Sequence, residues 1–147
     1  MEKVIETYKL CGSIAIWKYK EYNRNSLGWH ISMDSVGRKS LIELIVLMLK
    51  SPWPSRKIVN LTDPFEMDIC KVNYNSKKND VAIPKTLFLD YKKEAGSLWN
   101  LQRINSQLIL SVGTQKLLAL QENLANNAFD SAMCDDEGND SDLLNFW

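Results

Sequence analysis

Histidine is nearly missing from this 147-residue chain: His30 stands alone. Ser–His–Asp and Cys–His mechanisms need an imidazole within reach of a nucleophile and a third group that orients it. His30 sits between Trp29 and Ile31, with no nucleophile motif around it, so a structural or surface histidine is the expectation. Cysteine is sparse and scattered, at Cys11, Cys70 and Cys134. An odd count at wide spacing suits neither a disulfide framework nor the close ligand pairs of a structural zinc site. The six glycines fall in no GxGxxG or GxxxxGK pattern, which removes the usual phosphate-binding signatures. Long apolar runs are also lacking. The longest, Leu44 to Leu49, is far short of the ~20 residues that a membrane-spanning helix needs. Met1 to Leu10 is charged throughout and has no apolar segment of the secretory kind. These absences predict a cytoplasmic protein that is not an enzyme and uses no cofactor and no metal.

The chain does have a globular balance, 45% hydrophobic and 24% charged, and a length that suits one domain. Its formal net charge of zero conceals a segregation. Residues 1–128 carry a formal +6 and residues 129–147 a formal −6. The expected division is therefore a single domain over 1–129, followed by an acidic tail over 130–147 with an apolar end. The tail acids are Asp130, Asp135, Asp136, Glu137, Asp140 and Asp142, and Leu143, Leu144, Phe146 and Trp147 follow them. Their cluster has some of the composition of a calcium loop but not the register or terminal Glu of one. Such a tail can wave in solvent, meet a basic partner, or fold back on the basic body. Exposed ion pairs contribute only ~0–1 kcal/mol each, so folding back needs apolar anchorage.

Hydrophobic periodicity predicts strands over 3–9, 13–22 and 29–34, the first three forming an antiparallel meander. Ser40 to Glu43 fits a capping box opening a helix that is apolar nearly all round to Leu49, hence buried. Pro52 and Pro54 end it. A strand is predicted over 57–62, and 65–72 reads equally as helix or strand. Strands follow over 83–91, 98–104 and 107–112. A helix over 114–128 places Leu117, Leu120, Leu124 and Ala128 on one face. The expected class is α+β: a mostly antiparallel sheet of about six strands, one buried central helix and one C-terminal amphipathic helix. Among the five tryptophans, Trp53, between two prolines, and Trp147 are the expected exposed ones, and exposed aromatics favour contact sites.

The stretch from Gly28 to Asp63 carries Trp29, Asp34, Gly37, Ser40, Leu41 and Leu44 in the order strand, Asp–Gly turn, Ser–Leu helix, strand. In this it resembles immunity proteins of bacterial contact-dependent growth inhibition and related polymorphic toxin systems. The resemblance implies an inhibitor that neutralises a cognate toxin by stoichiometric binding, with no catalytic residue to carry over. If the toxin is a nuclease, its basic cleft would suit an acidic segment, since complementary fields speed association. The expected partner contacts are Asp130, Asp135, Asp136, Glu137, Asp140, Asp142, Trp147 and Trp53. The alternative is a nucleic-acid or anionic-ligand module using a basic sheet face, where Trp17, Lys18, Tyr19 and Lys20, or Tyr91, Lys92 and Lys93, would stack and neutralise phosphates. No RNP-like, KH-like or helix-turn-helix pattern accompanies these residues, and the acidic tail would compete with phosphate, so a protein partner is the main expectation.

Overall fold

A computed structural model describes residues 2–21, 26–126 and 131–147. In chain order the elements are α1 (Glu2–Thr7), β1 (Ile14–Tyr19), β2 (Trp29–Met33), α2 (Ser35–Lys50), β3 (Ser55–Asn60), α3 (Glu66–Val72), β4 (Val81–Ala82), β5 (Thr86–Tyr91), β6 (Trp99–Ile104), β7 (Gln107–Val112), α4 (Thr114–Ala125), β8 (Ser131–Met133) and β9 (Leu144–Phe146). The chain is α+β, but the described residues hold nine strands in two mixed sheets and four α-helices, more than the single sheet and two helices expected. One sheet has the order β4-β1-β2-β9-β8 and the other β3-β5-β7-β6.

Five neighbouring pairs are antiparallel, while β2–β9 and β5–β7 are parallel. The second parallel pair has a local cause. Asn105, at φ 55, makes the tight turn that folds β6 back on β7, with Ile104 opposite Gln107. That places β6 on the outer side of β7, so β7 meets β5 running in the same direction.

The expected meander is only half present. β1 and β2 form the antiparallel hairpin, but the first segment is helical to Thr7. Ile5 is buried, and just beyond the helix the Tyr8 hydroxyl donates to Glu43 Oε2 at 2.8 Å, tying α1 to α2. The central helix also begins six residues earlier than the Ser40 capping box suggests. Asp34 is its N-cap, with Oδ1 accepting from Gly37 N–H at 2.6 Å and from Ser13 N–H at 3.0 Å. Ser40 is buried instead, and its Oγ accepts from Cys11 N–H. Gly37 has no alternative here: a Cβ would lie 2.3 Å from the Ser13 carbonyl oxygen. The Asp–Gly pair thus docks the start of β1 against the first turn of α2.

β1 alternates between two cores. Ile14 and Ile16 join α2, α4 and the inner face of the second sheet; Trp17 and Tyr19 point the other way and pack with Ile69 of α3 and Val81. Between the sheets, Ile16, Ile31 and Leu144 meet Leu87, Leu89 and Leu108 around a void of only about 20 Å3, the close packing expected of a protein interior. Leu117, Leu120 and Leu124 bury the predicted face of α4; Ala128 lies outside the described residues.

The described part of the tail is built into the body. Leu144 and Phe146 are buried, and β9 runs parallel to β2 with Trp29 opposite Leu144 and Ile31 opposite Phe146. Apolar anchorage is thus present, and folding back on the body is what this segment does. A 3-10 turn over Asp140–Asp142 leads into the strand.

Candidate functional site

The residues expected to contact a partner are dispersed. Asp142 is buried, its Oδ1 accepts from Leu101 N–H at 2.8 Å, and its carbonyl accepts from Trp99 Nε1–H at 2.6 Å. Its carboxylate is engaged within the fold, capping an edge group of β6. Asp135 closes a local turn: Asn139 donates to it through both its backbone and its side-chain nitrogen, and these bonds hold the Asp135 carboxyl below the usual range. Asp136 pairs with Lys116 at 2.9 Å, and its carboxyl is held low by the Ser97 side chain first and Lys116 second. Glu137 and Asp140 stay exposed. Asp130 lies outside the described residues.

Trp147, expected on the outside, is half-buried. Its indole Nε1–H donates to His30 Nδ1 at 2.9 Å, and its backbone N–H to Ile31 O. His30 Nε2 lies 3.1 Å from the Ser26 carbonyl oxygen. An acceptor at Nδ1 and a donor at Nε2 describe one neutral tautomer. Trp17 stacks on the ring at 5.7 Å and Tyr19 meets it edge-on at 5.3 Å. Burial pushes the imidazole down to about 4. The lone histidine is therefore a structural pin between β2 and the C-terminal strand. Trp53 is 64% exposed, as expected.

Two wide depressions mark the surface. One, of about 820 Å3, lies where β3 and β5 meet α1, with Pro54 next to Trp53 on its rim. Four of its charged groups are engaged: Asp90 takes Arg56 at 3.5 Å and Lys92 at 3.8 Å, and Lys93 Nζ donates to Ser51 O. The other, of about 770 Å3, runs between α3 and the first sheet, where β2 and Trp147 form part of its lining. Asp34, Asp63 and Asp68 line it against a single cation, Lys71. Asp34 is held below the ordinary carboxyl range by its bonds from Gly37 N–H and then Ser13 N–H. Asp63 pairs with Lys78 at 2.7 Å.

This second groove adjoins an unusual surface. Phe65 is 73% exposed and Met67 79%, and Tyr74, two residues past α3, is 83% exposed. They are the three most exposed of the large apolar side chains described. The short helix buries only Ile69; Met67 falls on the opposite side of it, and Phe65 is the N-cap, extended and outside the helical turns. The ambiguity of 65–72 hid this patch. The signal for it was three large apolar residues within ten positions, sharing no single helical face.

The groove has hydroxyl and carboxylate groups but no histidine or cysteine in its lining. Among the described residues, no three His, Cys, Asp or Glu side chains are grouped so as to hold a metal ion, and no helix is long and apolar enough to cross a membrane. Comparison with family models, with curated proteins and with solved structures gave no match for this chain.

Proposed function

We propose that this chain is a non-enzymatic binding protein that acts as an immunity protein, neutralising a toxin domain by stoichiometric binding, and that the α3 groove is its contact surface. The exposure of Phe65, Met67 and Tyr74 beside that groove carries the reading. Exposed aromatic and Met side chains are what interfaces enrich, and a few of them dominate binding. With Asp63 paired to Lys78, Asp34 and Asp68 against Lys71 leave a small acidic excess in the groove, which favours a partner surface that is basic around an apolar centre, such as the active cleft of a nuclease. The acidic character expected of the tail is thus supplied from another part of the chain, with Glu137 and Asp140 as further solvent-facing acids.

The nucleic-acid alternative loses support from the same side chains that suggested it. Trp17, Tyr19 and Tyr91 are 0%, 7% and 1% exposed, so the aromatics beside the lysines are closed to base stacking.

The test begins at the locus, where a toxin-like C-terminal domain encoded beside this chain is expected, and continues as a protection assay in cells producing that domain. Wild-type chain should restore growth, and the Phe65→Ala, Met67→Ala double variant should lose most of the protection at equal soluble abundance. Absence of protection by the wild type would reject the immunity reading. Full protection by the double variant would reject the surface.

A further inference from the structure

The outer face of the four-stranded sheet is a second surface, independent of the α3 groove. The strand registers place its side chains in three cross-strand rows. The middle row is Ile58, Phe88, Ile109 and Gln102, flanked on one side by Arg56, Asp90, Ser111 and Asn100, and on the other by Asn60, Thr86, Gln107 and Ile104. Ile58 is 52% exposed and Ile104 49%, and Phe88 and Ile109 are half-buried. The inner face alternates with this one and is the main core: Leu87, Leu89, Leu108 and Leu110 are all buried. Helix α1 is reached by Lys57, which points to the inner side, through its Nζ to Glu6 O, and the turn with Asp142 meets β6 at its edge. Neither accounts for the apolar row on the outer face. Solvent faces of sheets ordinarily alternate to polar residues, and a contiguous apolar row on one marks a docking site.

We infer that this face is where a second copy of the chain docks, sheet against sheet. The chemistry of the rim selects a copy over a charged partner. Its only charges in the three rows, Arg56 and Asp90, pair with each other at 3.5 Å, and Lys92 at the strand end adds a second cation to Asp90 at 3.8 Å. The remaining polar members are amides and hydroxyls: Asn60, Asn100, Gln102, Gln107, Thr86 and Ser111. Each of these carries both donor and acceptor, so a face turned over by a two-fold axis can satisfy itself, as an isologous interface requires. The chain's formal net charge of zero removes the repulsion that keeps charged copies apart. Area sets the strength. Four strands spaced ~4.8 Å and six residues rising ~3.3 Å each give a footprint of about 400 Å2. Two such footprints fall below the ~1,200–2,000 Å2 of a stable complex, so the dimer is weak and concentration-dependent.

Sedimentation velocity on the intact chain, from about 10 to about 500 μM, a range chosen to span a weak interface, reads this directly. The weight-average mass should climb from 16.9 kDa toward twice that value. It should do so nearly equally at ~50 and ~500 mM salt, because the charges on this face are already paired within the chain and its apolar row is not screened. Ile58→Glu and Ile104→Glu should each hold the chain monomeric, while Phe65→Ala with Met67→Ala should leave dimerisation unchanged. In the wild-type chain, the methyl resonances of Ile58, Ile104 and Ile109 should shift with concentration, which needs no variant to fold. A chain that stays monomeric throughout overturns the inference. So does a dimer that survives both Glu variants, dissolves with salt, or is lost with Phe65 and Met67.

Discussion

Lowering the pH should loosen the C-terminal strand through His30. The imidazole is 1% exposed and neutral, with Nδ1 accepting from Trp147, and its folded value is about 4 against an ordinary 6.5. The sign follows from which state binds the proton first. Above pH 6.5 the ring is neutral in both states, and folding incurs no penalty from it. Between 6.5 and 4 the unfolded chain is protonated and the folded chain is not, so stability falls with pH by about 1.4 kcal/mol per unit. From pH 7 to pH 4.5 the loss amounts to about 2 kcal/mol, a large share of the ~5–15 kcal/mol typical of a domain. Because the chain has one histidine, its ring-proton NMR signal can be followed without assignment. It should stay at its neutral position down to pH 5. Urea unfolding at pH 7 and 4.5 should give a wild-type loss exceeding that of His30→Gln by about 2 kcal/mol, carboxylate effects being shared by both proteins. A midpoint near 6.5 for the folded protein, or equal pH slopes for wild type and variant, would refute the argument.

Two further substitutions test the fold. Asp142→Ala leaves the buried Leu101 N–H without its acceptor; it should cost roughly 1–3 kcal/mol in chemical denaturation, and Asp142→Asn, which keeps an oxygen, should cost less. A loss for the Ala variant below about 0.5 kcal/mol, the range of neutral surface changes, would contradict the structural role of Asp142. Gly37→Ala should destabilise by roughly 1–3 kcal/mol through overpacking, against the ~1 kcal/mol gain that helix propensity alone predicts. The sign of the change in thermal midpoint decides between them, because the added Cβ meets the Ser13 carbonyl at 2.3 Å.

Much of the body was legible because its signals are local. Alternation found β1 and β2, and leucine spacing found the buried face of α4. The start of α2 was misplaced because Ser40 to Glu43 mimics a capping box, while the true cap combines Asp34 with a glycine that sequence alone reads as a turn. What stayed hidden depends on distant partners. Leu144 to Phe146 is too short to show a period, and it is a strand only because β2 lies beside it. Asp142 sits in an acidic cluster that reads as solvated, yet its acceptor role is set by Leu101, 41 residues away. The same holds for the candidate site: the charge count along the chain pointed to residues 130–147, whereas the open apolar patch depends on which side of α3 turns inward.

The measurement that bears most directly on the account is a calorimetric titration of the toxin domain used in the protection assay into three forms of the chain: wild type, Phe65→Ala with Met67→Ala, and Glu137→Gln with Asp140→Asn. Binding through the α3 surface predicts a dissociation constant weakened about tenfold or more in the first variant, a loss of at least ~1.4 kcal/mol. The tail variant should stay within about twofold of wild type, since exposed rim charges contribute little to affinity. The reverse ranking, with the tail variant crippled and the apolar variant unchanged, would contradict it.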